Sequence, residues 1–457
     1  MVIVIGLMIR SDKSGVTSVI RDLSISPDLY ATMMHFFRSN AWSVQNLIPK
    51  WCVIVKKYAP ICQEDGMTLL VGDGVKQSKE ARKMPGVKKL NQESDNSAKA
   101  EYIFGHMFGG VGVLIGNECK MFCIPLSILI HDGIKVIRRW TNRCKINVNA
   151  VCEESHVVQM IQNGISIAKI MGQSLMLLDR YFLSVPALKK YEECNKENPG
   201  LFHILVKAKM SCVAYTKPNK HVGKGRPRKK GKTIKVKDLF TSKKNEFIQT
   251  TLDLYGKEEK VEYLCLNLLW GPKLYQEMRF VLVKYNGVIS ILATTKLDMD
   301  PVRMILLYSY RFKIECTFRE LKQVIGGFSY HFWSKQMPKL NKFAKKGAKQ
   351  PIEEIEDVEK QQLISSALQA IEGYVMLSAI AMGLLQIIAI RFSSDIAKLS
   401  FRFLRTKSAN IVSEATVACF LRKNIFWLIS KNKKSVISEI ITSKYSDTLF
   451  EPEQEVS

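Results

Sequence analysis

YSYRFKIECTFRELKQVIGGF, residues 308–328, decides how the rest of the chain is to be read. It carries Tyr308, Arg311, Glu315 and Lys322 in the pattern Tyr-x2-Arg-x3-Glu-x6-Lys. At about 100° per residue these four fall within roughly 60° of one another on a helix. Leu307, Tyr310, Ile314, Phe318, Leu321 and Ile325 gather on the neighbouring arc, which predicts a helix over 303–325 with a real apolar face. Beside that face runs a stripe of one carboxylate, two cations and a phenol. A carboxylate suits a divalent metal, and flanking cations suit phosphate. The same spacing also describes a solvated helix face with i,i+4 and i,i+7 charges.

The bulk of the chain narrows the choice. Its 457 residues, 47% hydrophobic and 24% charged, are ordinary for a globular protein of two or three domains with at least one large core. The charge is not ordinary: 68 Lys+Arg against 42 Asp+Glu leave +26. Such an excess points to a polyanion, either nucleic acid or an acidic membrane surface. Eleven cysteines form no C-x-x-C pair, which suits a reducing cytosol better than a disulfide framework or a zinc site. The start, MVIVIGLMIR, is too short for a signal sequence with its cleavage site. The apolar run from Gly373 to Ile390 is just long enough to raise the transmembrane question. Gln386 lies inside it and Gln369 and Glu372 abut it, so it reads as a buried core helix and no membrane partner is expected.

Along the chain, residues 1–66 read as short helices, with 26–37 and 43–58 the clearest. From Met67 the period changes. MTLLVGDG, YIFGHMFGGVGVLIG (102–116), MFCIPLSILI (121–130), SLMLLDRYFL (174–183) and LFHILVKAKM (201–210) read as strands, with helices at 157–172 and 186–194 between the later ones. That is α/β with a mixed sheet that begins with consecutive strands rather than a βαβ unit. The glycines around His106 fit no phosphate-binding loop and read as close packing of a core strand. Residues 217–237 carry ten Lys/Arg and no acid and, broken by Pro and Gly, form a basic arm. Strands resume at 261–270, 278–286 and 287–295, the last two a hairpin around Asn286-Gly287. A second lysine run, Lys335 to Lys349, follows the helix, and the last hundred residues read as helical.

Two acids stand out by position. Asp73 ends an apolar strand between two glycines, and Asp179 closes the run LMLL. A lone carboxylate at the end of a buried strand is costly unless paired or metal-bound. Each alone also fits a turn or a salt bridge. With Glu315 they make three carboxylates without a His/Cys set, which favours hard cations, Mg²⁺ or Mn²⁺. Two such ions would activate a water or 3′-hydroxyl and stabilise the leaving oxygen in phosphodiester attack.

Asp73 in VGDGVKQ, Asp179 in LLDRYFLS and Glu315 resemble the carboxylates of a DDE transposase with a ribonuclease-H-like core. Tyr308, Arg311, Glu315 and Lys322 match the YREK signature of the insertion-sequence-four group of cut-and-paste transposases. The 135 residues between Asp179 and Glu315 are similar to that group's β-rich insertion. The likeness covers roughly residues 60–340. It implies an α/β, ribonuclease-H-like catalytic core (67–210 and 301–335), interrupted by a basic β-rich insertion (211–300). Helical regions flank it at 1–66, short for the DNA-binding region that the group carries ahead of its core, and at 336–457. It implies metal-dependent cleavage at transposon ends and strand transfer, with Asp73, Asp179 and Glu315 on Mg²⁺ or Mn²⁺ and Tyr308, Arg311 and Lys322 on the phosphates of the end. Trp270, which ends an insertion strand, is the candidate for capturing a flipped base, with Trp333 second; either also reads as a core residue. Lys224, Arg226, Arg228, Lys229 and Lys230 of the basic arm are expected on the DNA backbone. The partner implied is double-stranded DNA bound by a homodimer on paired ends, in a bacterial cytoplasm at the nucleoid. A catalytically silent, transposase-derived DNA binder is the competing expectation.

Overall fold

The computed structural model describes residues 1–13, 15–92, 100–117, 120–143, 155–219, 226–341, 350–396 and 412–445. Lys220, Lys224, Lys342, Lys345, Lys346 and Lys349 of the two basic runs lie outside them.

Four helices lead: α1 (Val2–Ile9), α2 (Thr17–Asp22), α3 (Leu29–Arg38) and α4 (Val44–Tyr58). The α4 start is set by Ser43, whose side chain accepts the Asn46 N–H at 3.2 Å. The strands then begin with β1 (Gln63–Glu64), β2 (Met67–Ser78), β3 (Lys88–Asn91), β4 (Tyr102–Asn117) and β5 (Lys120–Ile130). Next come α5 (Lys135–Arg143), α6 (His156–Met171), β6 (Ser174–Leu178), α7 (Val185–Glu197) and β7 (Phe202–Ala208). The segment 174–183, expected as one strand, is a strand only to Leu178; Arg180–Phe182 is a 3-10 turn. A fully buried apolar run cannot continue once Asp179, Arg180 and Tyr181 need solvent or partners.

Residues 211–300 hold β8 (Val213–Tyr215), β9 (Thr233–Lys235), the single turn α8 (Leu239–Ser242), β10 (Ile248–Leu254), β11 (Lys257–Trp270), β12 (Gln276–Tyr285) and β13 (Val288–Thr294). β12 and β13 turn at Asn286-Gly287, and β10 and β11 at Tyr255-Gly256. All four turn residues have positive φ, the backbone that tight two-residue hairpins demand. The segment is not a separate layer. β13 pairs with β7, so one mixed sheet of thirteen strands runs through both regions.

In the first half of that sheet β5, β4 and β2 are antiparallel neighbours, and β6 and β7 then run parallel to β2. The parallel steps are made by crossovers through α6 and α7, as parallel pairing requires. Pro125, which cannot donate to a ladder, sits on β5 opposite a bulge at Val111/Gly112, and its carbonyl accepts the Trp51 indole N–H at 2.9 Å.

The C-terminal part of the chain covers one face. α9 (Pro301–Ser309) starts at Asp300, whose side chain accepts the Arg303 N–H at 2.8 Å, and Pro301 fills a position where no N–H is needed. α10 (Lys313–Glu320), α11 (Val358–Arg391), α12 (Glu414–Lys431) and α13 (Val436–Thr442) follow. α11 is about 50 Å long. It is long and apolar enough to cross a membrane, yet 83% of its most apolar window is buried inside the protein. β5, α1, α3, α4, α5 and α12 pack around it. The core reading of 373–390 therefore agrees with its packing. Arg10, only 2% exposed, reaches out of the end of α1. Its guanidinium donates to the Tyr374 hydroxyl at 2.8 Å and to the carbonyls of Lys13, Gly15 and Gly326.

His106 is fully buried on β4. Its Nε2 lies 2.8 Å from the Pro85 carbonyl and must donate there, so Nδ1 accepts from the Tyr330 hydroxyl at 2.6 Å. Burial pushes it down to about 4, so it is a neutral strut.

Candidate active site

The predicted helix over 303–325 is continuous but not uniform. α9 ends at Ser309, Tyr310–Phe312 tighten to a 3-10 turn, α10 resumes, and Leu321–Ile325 widen to a π turn closed by Gly326 at φ 64°. A constant 100° per residue therefore does not hold. Tyr308, Arg311 and Glu315 still converge, while Lys322, on the π turn, lies along the chain with its Nζ 5.7 Å from the Phe328 ring centre. π turns inside helices recur where a side chain must be re-aimed.

Packing sets where this helix sits. Asp73 on β2 is directly opposite Gly110 on β4. A Cβ at Gly110 would stand 2.7 Å from the Phe318 ring, so the bare strand lets α10 lie close against the sheet beside Asp73. Thr317 ties the same helix to β5 by donating to the Cys123 carbonyl at 2.7 Å. Phe318 and Ile314 are buried in this seat. On the other side, Tyr308 lines a cleft of about 110 Å³ between α9 and the hairpin strands, with Leu254, Val283 and Leu292 among its walls.

Asp73, expected to end its strand, lies inside β2, which stays paired with β4 as far as Ser78 because glycines oppose it there. Asp179 does follow the end of β6. Gly72 is paired with Leu178, and each aspartate is the next residue. Arg311 joins the rest. Its guanidinium donates to Asp73 Oδ2 at 3.2 Å and, through its other nitrogen, to Glu315. Asp73 Oδ1 accepts the Gly74 N–H at 2.8 Å. Burial pushes the Asp73 carboxyl up to about 6; Arg311 and the Gly74 N–H pull it down, and Glu315 and Asp179 add to the rise. Burial disfavours the Arg311 cation, but Asp73, Tyr308, Glu315 and Asp179 together outweigh it and hold Arg311 firmly charged. The Tyr308 hydroxyl is raised well above its ordinary value, burial being the main cause. Five residues from three distant stretches thus share one electrostatic environment.

The donor set is of the hard-oxygen type, suited to Mg²⁺ or Mn²⁺. In charge and chemistry it fits such an ion. As arranged, however, Arg311 bridges two of the three carboxylates, and among the described residues no three His, Cys, Asp or Glu side chains are grouped closely enough to hold a metal.

The remaining expected residues lie elsewhere. Trp270 ends β11, half-buried, with its side chain hydrogen-bonded to Cys212. Trp333 is 49% exposed on the segment after the π turn. Arg226, Arg228 and Lys229 are exposed, and Lys230 folds back with Nζ 4.2 Å from the Tyr215 ring centre. None of these touches the Arg311 cluster. The apolar arc with Phe318 and the close packing of the β4 glycines were each legible in the sequence; that Gly110 and Phe318 meet, with Thr317 tied to β5, was not.

No protein-family model matches the chain, and no curated protein or solved structure matches it significantly.

Proposed function

We propose that the protein is a DDE-type DNA transposase whose ribonuclease-H-like core cleaves DNA at transposon ends and joins them to a target. One observation carries the reading. Asp73 within β2, Asp179 just past the end of β6 and Glu315 on α10, far apart in sequence, gather around a single arginine that bonds two of them, in a chain of net charge +26. Three antiparallel strands followed by two parallel ones, with the aspartates on adjacent parallel strands, support the core assignment.

In this reading Asp73, Asp179 and Glu315 hold Mg²⁺ or Mn²⁺, which when bound supplies Lewis-acid activation of the attacking oxygen and stabilisation of the leaving one. Arg311 offsets part of the carboxylates' charge in the free protein and presents its planar fork to a phosphate when DNA is seated. Tyr308, braced by α9 and the hairpins, positions the same strand. Lys322 and the exposed Arg226, Arg228 and Lys229 add phosphate contacts farther along the duplex. The test is incubation with duplexes taken from the DNA flanking the gene, in Mg²⁺ or Mn²⁺. The parent should leave nicks with 3′-hydroxyls, and Asp73→Ala and Glu315→Ala should not. Equal cutting by these variants would remove the assignment.

The bridged carboxylates favour a second reading, a DNA binder without chemistry. Gel shifts with no metal-dependent cleavage under any divalent cation would select it.

A further inference from the structure

A second cluster lies directly after Asp179. The turn Arg180–Phe182 is held by the Phe182 N–H on the Asp179 carbonyl at 3.0 Å. Phe182 tucks inward against His156, with ring centres 5.6 Å apart. Tyr181 therefore faces outward and is 42% exposed. Two cations flank its ring: the Arg180 guanidinium at 5.5 Å and Lys209 Nζ at 5.3 Å from the centroid. Lys209 opens the turn into β8, which ends at Tyr215. There Lys230 stands 4.2 Å from the Tyr215 centroid and 5.5 Å from that of Tyr275, and the two rings meet edge-on at 5.3 Å. The turn carrying Tyr275 approaches the Tyr181 segment: a Cβ on Gly271 would lie 3.7 Å from Val185.

We infer that Arg180, Tyr181 and Lys209, continued by Tyr275 and by Lys230, which the buried Tyr215 ring supports from beneath, form a track for single-stranded DNA leading away from Asp179. Aromatic faces alternating with cations are what a flexible strand requires: every base has a π-face to stack, and every linkage has a charge to neutralise. Phe182 anchors the turn beneath, so Tyr181 is presented without loss of freedom on binding. The inference rests on the proposed function only for the choice of DNA as the polyanion.

The experiment is fluorescence anisotropy with labelled 15-nucleotide oligothymidylate, and with oligouridylate of the same length, on the full chain. The parent should bind the DNA oligomer at least as well as the RNA one. Tyr181→Ala should weaken it about 10-fold, the size typical of losing one stacked base. Tyr181→Phe should restore binding, and Tyr181→Leu, which keeps bulk without a π-face, should not. The thermal midpoints of all variants should stay with the parent's. Undiminished binding by Tyr181→Ala, restoration by leucine as complete as by phenylalanine, or a clear preference for RNA would overturn the inference. Nicking by Asp73-intact protein is read separately, so loss of the track and loss of the transposase reading are distinguishable.

Discussion

Residues 72–75 of β2 show opposite chemistry to the two sides of one sheet. Toward α10, Asp73 meets Arg311 and, through it, Glu315. Toward α6, Gly72 and Gly74 leave room for the side chains of Met160, Met176 and His156. Gly109, opposite Gly74, leaves room for His131. The Asn163 amide nitrogen lies 3.0 Å from His131 Nε2, so His131 donates from Nδ1 to His156 Nδ1 at 2.8 Å. Burial first, then mutual repulsion, holds His131 far down; burial brings His156 to about 4. One side is a set of carboxylates around one arginine and the other a neutral imidazole pair. The lesson is that a carboxylate can sit within a largely buried strand when an arginine faces it, while the imidazoles on the strand's reverse side stay neutral.

The sharpest break of that contrast is Asp73→Ala. It should lower the proposed nicking by at least roughly 10³-fold, since residues acting as a unit fail together. DNA affinity in a gel shift should remain. Arg311→Ala should remove the shared cation and cost about 1–3 kcal/mol of stability, the penalty of an unpaired, half-buried carboxylate. Chemical denaturation would measure it, and an unchanged midpoint would show that Asp73 is satisfied without Arg311. On the reverse side, Gly109→Val drives a side chain into the His131 ring, which lies 2.0 Å from the position of a Cβ. Overpacking of this kind costs about 1–3 kcal/mol. The folded fraction should still nick at low temperature, because the charged side is untouched.

The smallest effect is the most discriminating, because the two sides respond to pH with opposite sign. Asp73 is raised on folding, so its contribution is fully present below the usual carboxylate range and is lost as pH rises through about 6. His156 is lowered, so its contribution is present above the ordinary histidine value and is lost as pH falls through about 4. Urea midpoints between pH 4 and 7 should therefore rise more steeply with pH in Asp73→Asn than in the parent, and less steeply in His156→Asn. Parallel curves for all three proteins would refute the assignment of these groups to charged and neutral sides.

Much of this was legible in the chain. Asp73 and Asp179 announce themselves because each closes an apolar run, and β4, β5 and the 286–287 hairpin follow from patterns that tolerate few alternatives. β10 did not, because IQTTLDL buries only Leu252 and Leu254 and its turn begins with Tyr255 rather than Asn or Asp. α5, KVIRRWTNR, reads as a basic stretch rather than a helix with a core face. The tightened and widened turns around α10 were invisible because winding there answers to the sheet beneath it. Lys230 could be counted as a cation but not placed on Tyr215, since that contact depends on where β8 ends.

Arg10 carries a consequence for the order of assembly. It emerges from the ribosome 316 residues before Gly326 and 364 before Tyr374, the partners that bury it. At bacterial or eukaryotic rates of synthesis the wait is roughly 20–70 s. Through that interval the first helix has only α2 and the nearby Lys13 and Gly15 carbonyls to hold it, and the rest of the guanidinium is left to water. Closure of this long loop clamps Gly326 at the end of the helix bearing Glu315. The charged cluster is thus a late event in the life of each molecule, completed from both ends of the chain at once.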